Sequence, residues 1–209
     1  TVTDIAGHTA SSEIITMTVL PELKVSLHSN GSSNNFSVIS GATVMFNASA
    51  TGGSGNYTYK FERYNINNGN WYLLQDYSSE SSVTYTFKYL GTFDVRVTVM
   101  DSLGNTALSE LIRMSVLPEL TASLQVNGSS GALTKTVGSK VTFDAIATGG
   151  FENYSYKFAV LNVDTGKWTV LQDFSSNSSF TFTFNYTGTK QIAVTVKDSA
   201  GNTVATNRI

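Results

Sequence analysis

The chain has 209 residues, with 13 Lys and Arg against 15 Asp and Glu, a formal net charge of -2 and no cysteine. Those values exclude a disulfide framework, thiolate chemistry and a cysteine-ligated metal. They also leave no basic footprint for nucleic acid and no polybasic membrane anchor. Charged residues make up only 13% of the chain, about half the usual share for a soluble domain, and Ser, Thr, Asn and Gly supply the solvated surface instead. The apolar share of 41% still builds real cores, so disorder is a poor reading. No apolar run approaches the length that crosses a bilayer. Membrane insertion is therefore not expected in this stretch, and export is inferred from composition.

In chain order, residues 1–20 read as the closing segment of a repeat whose body lies upstream. Thr3-Asp4-Ile5-Ala6-Gly7-His8-Thr9 stands 97 positions before Met100-Asp101-Ser102-Leu103-Gly104-Asn105-Thr106. Residues 21–117 form the first repeat and 118–209 the second. The same offset relates Pro21-Glu22-Leu23 to Pro118-Glu119-Leu120, Thr51-Gly52-Gly53 to Thr148-Gly149-Gly150, and Trp71 to Trp168. Aligned without a gap, residues 21–112 and 118–209 share 47 identities in 92 positions. Ile209 corresponds to Ile112, so the last strand of the second repeat is expected to be truncated, and the full protein is expected to contain at least three copies. Pro21 and Pro118, the only prolines, mark the junctions. Proline fixes φ and ends strands, and no Gly/Ser spacer follows, so a semi-rigid rod is expected.

Within each repeat the apolar period is two. Val44, Phe46, Ala48 and Ala50 share one face; Tyr57, Tyr59 and Phe61 follow; then Tyr85, Phe87 and Tyr89, and finally Val95, Val97 and Val99. The second repeat keeps the phase through Phe182, Phe184 and Tyr186, then Ile192, Val194 and Val196. Turn signals such as Asn30-Gly31, Asn68-Gly69 and Leu103-Gly104-Asn105 punctuate these runs. About seven short strands per repeat, with no helical periodicity, predict an all-β chain of tandem immunoglobulin-like β-sandwiches.

The stretch from Gly91 through Val95, Val97 and Val99 to Asp101-Ser102-Leu103-Gly104-Asn105 resembles the closing hairpin of polycystic-kidney-disease-type domains. With Tyr57, Tyr59, Phe61, Trp71 and Tyr85, the repeat is also similar to the tyrosine-rich immunoglobulin-like repeats of clostridial and ruminococcal surface proteins. The Trp-Asp-Phe-Gly-Asp-Gly motif of the first family is missing, and Trp71-Tyr72-Leu73-Leu74-Gln75-Asp76 does not replace it. The resemblance implies an exported Gram-positive protein, extracellular or in the cell wall, in which such repeats act as spacers or accessory modules.

Chemistry-bearing residues are sparse. His8 and His28 align with Asn105 and Gln125 of sister repeats, which reads as surface replacement and leaves no material for a catalytic triad. Asp76 and Asp173 recur singly and read as turn caps rather than an acid-base pair. Asp101 and Asp198 read as hairpin residues, since the oxygen ligands around them are too few for calcium. No metal, cofactor or catalytic centre is expected. Trp71, Tyr72 and Trp168 are the candidate binding residues: exposed rings there would stack on the C–H faces of sugars, whereas a Trp on a sandwich strand is commonly a core anchor. The leading expectation is a non-catalytic spacer, with a carbohydrate-binding module and a protein–protein adhesion module as alternatives. Neighbouring repeats are the expected partners. A polysaccharide is the alternative, and residues 14–20 are expected to complement the cut second repeat of another copy, head to tail, by strand addition.

Overall fold

The computed structural model describes residues 1–209 and contains eighteen strands and no helix. Near the N-terminus, β1 (Val2–Thr3) and β2 (Thr9–Ala10) form a small antiparallel hairpin. Residues 11–20 follow it exposed and with no strand pairing, although residues 14–20 carry the pattern of a closing strand.

The first sandwich is built from nine strands: β3 (Lys24–Ser29), β4 (Phe36–Ile39), β5 (Thr43–Thr51), β6 (Thr58–Asn65), β7 (Asn70–Ser78), β8 (Ser82–Thr86), β9 (Gly91–Met100), β10 (Thr106–Leu108) and β11 (Ile112–Leu117). One sheet has the order β3-β5-β8, and the other β4-β11-β9-β6-β7 with β10 also on β9. All pairs are antiparallel except β11 with β4, which run parallel. The second sandwich has seven: β12 (Thr121–Val126), β13 (Lys140–Thr148), β14 (Ser155–Asn162), β15 (Lys167–Ser175), β16 (Ser179–Thr183), β17 (Lys190–Lys197) and β18 (Thr203–Ala205). Its sheets are β12-β13-β16 and β15-β14-β17-β18.

Strand side chains alternate across a sheet, so a period-two apolar pattern delivers one buried face per strand. Val44 and Phe46 on β5, Phe61 on β6 and Val95, Val97 and Val99 on β9 meet in the first core, all at 4% exposure or less. Phe143, Phe158, Val194 and Val196 make the second core in the same way. Tyr59 and Tyr156 are buried with them, as the shared phase with Phe61 and Phe158 predicts. One alternation fails. Tyr89 and Tyr186 stand 75% and 84% exposed, because β8 and β16 end at Thr86 and Thr183. Past those points the chain no longer pairs with β5 or β13, and the alternation loses its meaning after Phe87.

The Asn30-Gly31 and Asn127-Gly128 turns have positive φ at both residues, which suits the right-handed twist of a tight hairpin. Bulges recur where β6 meets β7 and β14 meets β15. There the amide of Gln75 donates to Ser78 Oγ (3.1 Å) and to the Glu80 carbonyl (2.8 Å), and Gln172 makes the same pair of bonds to Ser175 and Asn177.

Candidate functional site

The motifs shared by the two halves lie far apart in the chain but gather at one end of each sandwich. Between β11 and β12 only Pro118, Glu119 and Leu120 intervene. The Pro118 carbonyl accepts a hydrogen bond from the Gly150 N–H at 2.8 Å, and the Pro21 carbonyl accepts one from Gly53 at 2.8 Å. Gly149 and Gly52 adopt φ of +74° and +77°, and a Cβ on either would collide with the carbonyl of Glu119 or Glu22. Two requirements thus coincide: a left-handed backbone and an approach too close for any side chain. The tyrosine hydroxyls hold these loops from below, Tyr57 donating to the Gly52 carbonyl at 2.6 Å and Tyr154 to Gly149 at 2.7 Å.

From the side the loops are held by a carboxylate. Asp101 is 4% exposed. Its Oδ2 accepts from the Ser54 N–H at 3.0 Å, and its Oδ1 from the N–H groups of Leu103 (3.0 Å) and Asn105 (2.9 Å). The Asn105 amide bonds both oxygens. With Asn105 contributing most, these donors hold the Asp101 carboxyl down at about 2, since hydrogen bonds to the charged form favour it. Asp198 repeats the arrangement with Phe151, Ala200 and Asn202. Its burial works to raise the pKa, but the N–H donors outweigh that and leave it lowered. A third example lies in the N-terminal hairpin, where Asp4 takes bonds from the N–H groups of Ala6 and His8 and from the His8 ring. His8 therefore does the work of Asn105. Backbone N–H groups and the Asn105 or Asn202 amide occupy the lone pairs of Asp101 and Asp198. No group of three or more His, Asp or Glu side chains converges in a metal-holding arrangement.

The three aromatic candidates are not brought together. Trp71 and Trp168 lie on the edge strands β7 and β15 at 40% and 42% exposure, which corrects the core-anchor reading: both rings face outward from their sheets. Trp71 packs on Tyr64 with ring centroids 5.1 Å apart, and the Arg96 guanidinium lies over it at 3.7 Å. Glu62 fixes Arg96 at 2.9 Å and pairs with Lys60 at 2.9 Å. Burial would raise the Glu62 pKa, but those two cations leave it lowered. Over Trp168 the cover is looser: Ala159 and Ala193 replace Glu62 and Arg96, and the Arg208 guanidinium lies over its ring at 5.3 Å.

Tyr72, the next residue on β7, points to the opposite side from Trp71, beside Arg63 at 4.4 Å. There it lines an open cleft of about 370 Å³ with Arg63, Asn65, Asn68, Tyr85 and Tyr89. The Asn68 amide donates to the Tyr72 hydroxyl at 2.9 Å. The Arg63 guanidinium sits among the rings of Tyr72, Tyr85 and Phe93, and its buried Nε has no hydrogen-bond partner. The second sandwich has Val160 and Thr169 in place of Arg63 and Tyr72, so the cleft belongs to the first sandwich alone. A sequence reading missed it because its lining comes from β6, β7, β8, β9 and the segments that join them.

Two facing sheets in each repeat, one of which in the first repeat holds β11 between β9 (antiparallel) and β4 (parallel), define immunoglobulin-like β-sandwich modules. Residues 27–113 match the PKD domain family, a stretch that runs from β3 into β11. That match fits a structural or adhesion module of an extracellular protein, in a class that is generally non-catalytic. No curated protein sequence matches the chain. Solved structures similar to it include the Clostridium thermocellum CbhA fibronectin(III)-like modules, at 14% identity over 88% of this chain and 92% of that one, with a TM-score of 0.39. The amphioxus IgVJ-C2 molecule is similar at 14% identity over 83% and 97%, with a TM-score of 0.40.

Proposed function

We propose that this chain is a run of non-catalytic spacer repeats in an exported bacterial cell-surface or multimodular protein, of the Gram-positive kind that the repeat resembles. The observation that carries the reading is the clamp on the junction. The connection between the sandwiches is three residues long, tied by Gly150 to the second sandwich and gripped by a loop that Tyr154 and Asp198 brace in turn. The same clamp closes on Pro21. A module whose purpose is reach needs a defined exit angle for its neighbour, and the recurring residues of this chain serve that exit. Small-angle X-ray scattering tests the reading against a variant with four Gly/Ser residues inserted after Leu117. The parent chain is expected to give one extended distance distribution and the variant a broadened one. Equal breadth in the two would sink the spacer reading.

A second reading, glycan binding, is favoured by the cleft at Tyr72. It combines aromatic faces with the amides of Asn65 and Asn68 and the Arg63 guanidinium, the mixture that holds sugar rings and their hydroxyls. Trp168 offers a separate ring that Arg208 covers less closely, at 5.3 Å, than Arg96 covers Trp71, at 3.7 Å. Retention on starch, xylan, cellulose and peptidoglycan separates the candidates. Under this reading Tyr72→Ala or Trp168→Ala abolishes retention and Trp71→Ala does not. Retention on none of the four removes it.

A further inference from the structure

The first sandwich carries an arginine where its core pattern calls for an apolar residue. On β6, Tyr59, Phe61 and Arg63 share one phase, and Arg63 stands opposite the fully buried Val95 of β9. The second sandwich has Val160 at this position, 8% exposed and part of its core. A guanidinium withdrawn from water at such a place is costly unless an acceptor meets it. None does: Arg63 belongs to no ion pair, and its buried Nε has no hydrogen-bond partner. The rings of Tyr72, Tyr85 and Phe93 attract its charge, but a ring does not replace an acceptor for the N–H donors.

The charges of the first sandwich single out the same place. Its cations are Lys24, Lys60, Arg63, Lys88, Arg96 and Arg113. Lys24, Lys60, Arg96 and Arg113 pair with carboxylates. The two that do not, Arg63 and Lys88, both line the cleft at Tyr72, and no Asp or Glu lines it with them. The cleft lies wholly within residues 63–93, inside one repeat. The Asn65 carbonyl accepts from the Asn67 N–H at 2.9 Å, which leaves the Asn65 NH2 group as a further donor. Asn68 fixes the Tyr72 hydroxyl at 2.9 Å and so holds that ring at the rim. The wall is thus cationic and rich in donors, on a chain whose net charge is -2.

We propose that the cleft binds an acidic sugar, with the carboxylate of a uronic acid received by Arg63 and Lys88 and the sugar ring lying against Tyr72. The inference rests on the glycan reading of this cleft and adds to it the charge of the ligand. A carboxylate only accepts hydrogen bonds, so it matches a wall of donors, and a guanidinium takes it through short, charge-assisted bonds. The aromatic faces and the Asn65 amide serve the rest of the ring, its C–H surface and its hydroxyls, which a bare carboxylate lacks. At about 370 Å³ the cleft falls at the low end of the ~300–1,000 Å³ typical of ligand sites. The second sandwich has Val160, Thr169 and Asn185 in place of Arg63, Tyr72 and Lys88. It offers neither cation, so each chain takes a single acidic sugar.

Isothermal titration of the whole chain tests the inference, with a short oligogalacturonate and with the same oligomer after reduction of its carboxyl groups to alcohols. The acid oligomer is expected to bind one to one, and the reduced oligomer more weakly by roughly 10- to 150-fold, the worth of a hydrogen bond to a charged group. Arg63→Val installs the residue that the second sandwich already packs, so the core is kept. It is expected to lose the same factor for the acid oligomer and to leave the reduced one unchanged. Lys88→Gln, at an exposed position, is expected to lose about 2- to 5-fold. Polyglutamate, a carboxylate chain without sugar rings, is expected not to compete. Equal affinity for the two oligomers would overturn the inference and leave the glycan reading standing. Unchanged affinity in either variant, or competition by polyglutamate, would overturn it as well. Binding of neither oligomer would overturn it too, and retention on the four polysaccharides then decides the glycan reading by itself.

Discussion

Replacing Gly149 by Ala strikes the clamp at its tightest point. The residue sits at φ +74°, and the new Cβ would run into the Glu119 carbonyl, which cannot retreat while Gly150 holds Pro118. The left-handed conformation costs a residue with a Cβ about 1–2 kcal/mol, and giving up the Gly150 hydrogen bond costs about 0.5–1.5 kcal/mol. Together they come to about 1.5–3.5 kcal/mol, which moves the ratio of clamped to released junction by roughly 10- to 300-fold. Gly201→Ala is the control, because Gly201 has φ +89° with nothing within 4 Å of the added methyl, so it bears the conformational cost alone. Calorimetry should place the Gly149→Ala transition of the second sandwich about 6–28 °C below the parent, at the usual 4–8 °C per kcal/mol for a domain of this size. The Gly201→Ala variant should lose no more than about two-thirds of that. Scattering should show a broadened distance distribution for Gly149→Ala alone. If the two variants match in both measurements, the collision with Glu119 does not hold the junction and the clamp is misassigned.

Acid should loosen the same structure. A carboxyl held at about 2, against an ordinary value of 3.8, contributes stability that is present above pH ~4 and lost as pH falls toward ~2. Asp101→Asn should therefore flatten the acid limb of the first sandwich's stability curve, as followed by tyrosine fluorescence; an unchanged limb would show that Asp101 does not carry it. Truncating Met114, fully buried in the first core, should cost about 2–5 kcal/mol in denaturant titration and leave the second sandwich's transition where it was. Gln172→Ala empties the β14–β15 bulge of its amide and should lower the second sandwich's stability by about 1–3 kcal/mol. A loss of Trp168 packing alongside it would appear as a shift in tryptophan emission.

The sequence by itself determined the class of fold. Strand side chains alternate by two, so Val44 with Phe46 and Val95 with Val97 and Val99 declare their buried faces without reference to any partner. The 97-residue offset declared two copies of one pattern. Hairpin residues were legible for a local reason: Asp101 and Asn105 bond across four positions, well within what a short window shows. The tertiary structure alone decided what depends on distant pairing. Tyr89 reads as core by phase and stands in solvent because β8 stops short of it. Trp71 and Tyr72 look like one site, yet a strand sends neighbours to opposite sides, and which side meets Arg96 or Arg63 depends on β6 and β9. The clamp joins Pro118, Gly150 and Asp198, residues spread over some eighty positions. Their recurrence between the copies was visible, but recurrence carries no coordinates. Only the folding of the sheets brings one carbonyl, one amide and one carboxylate to the same end of the sandwich.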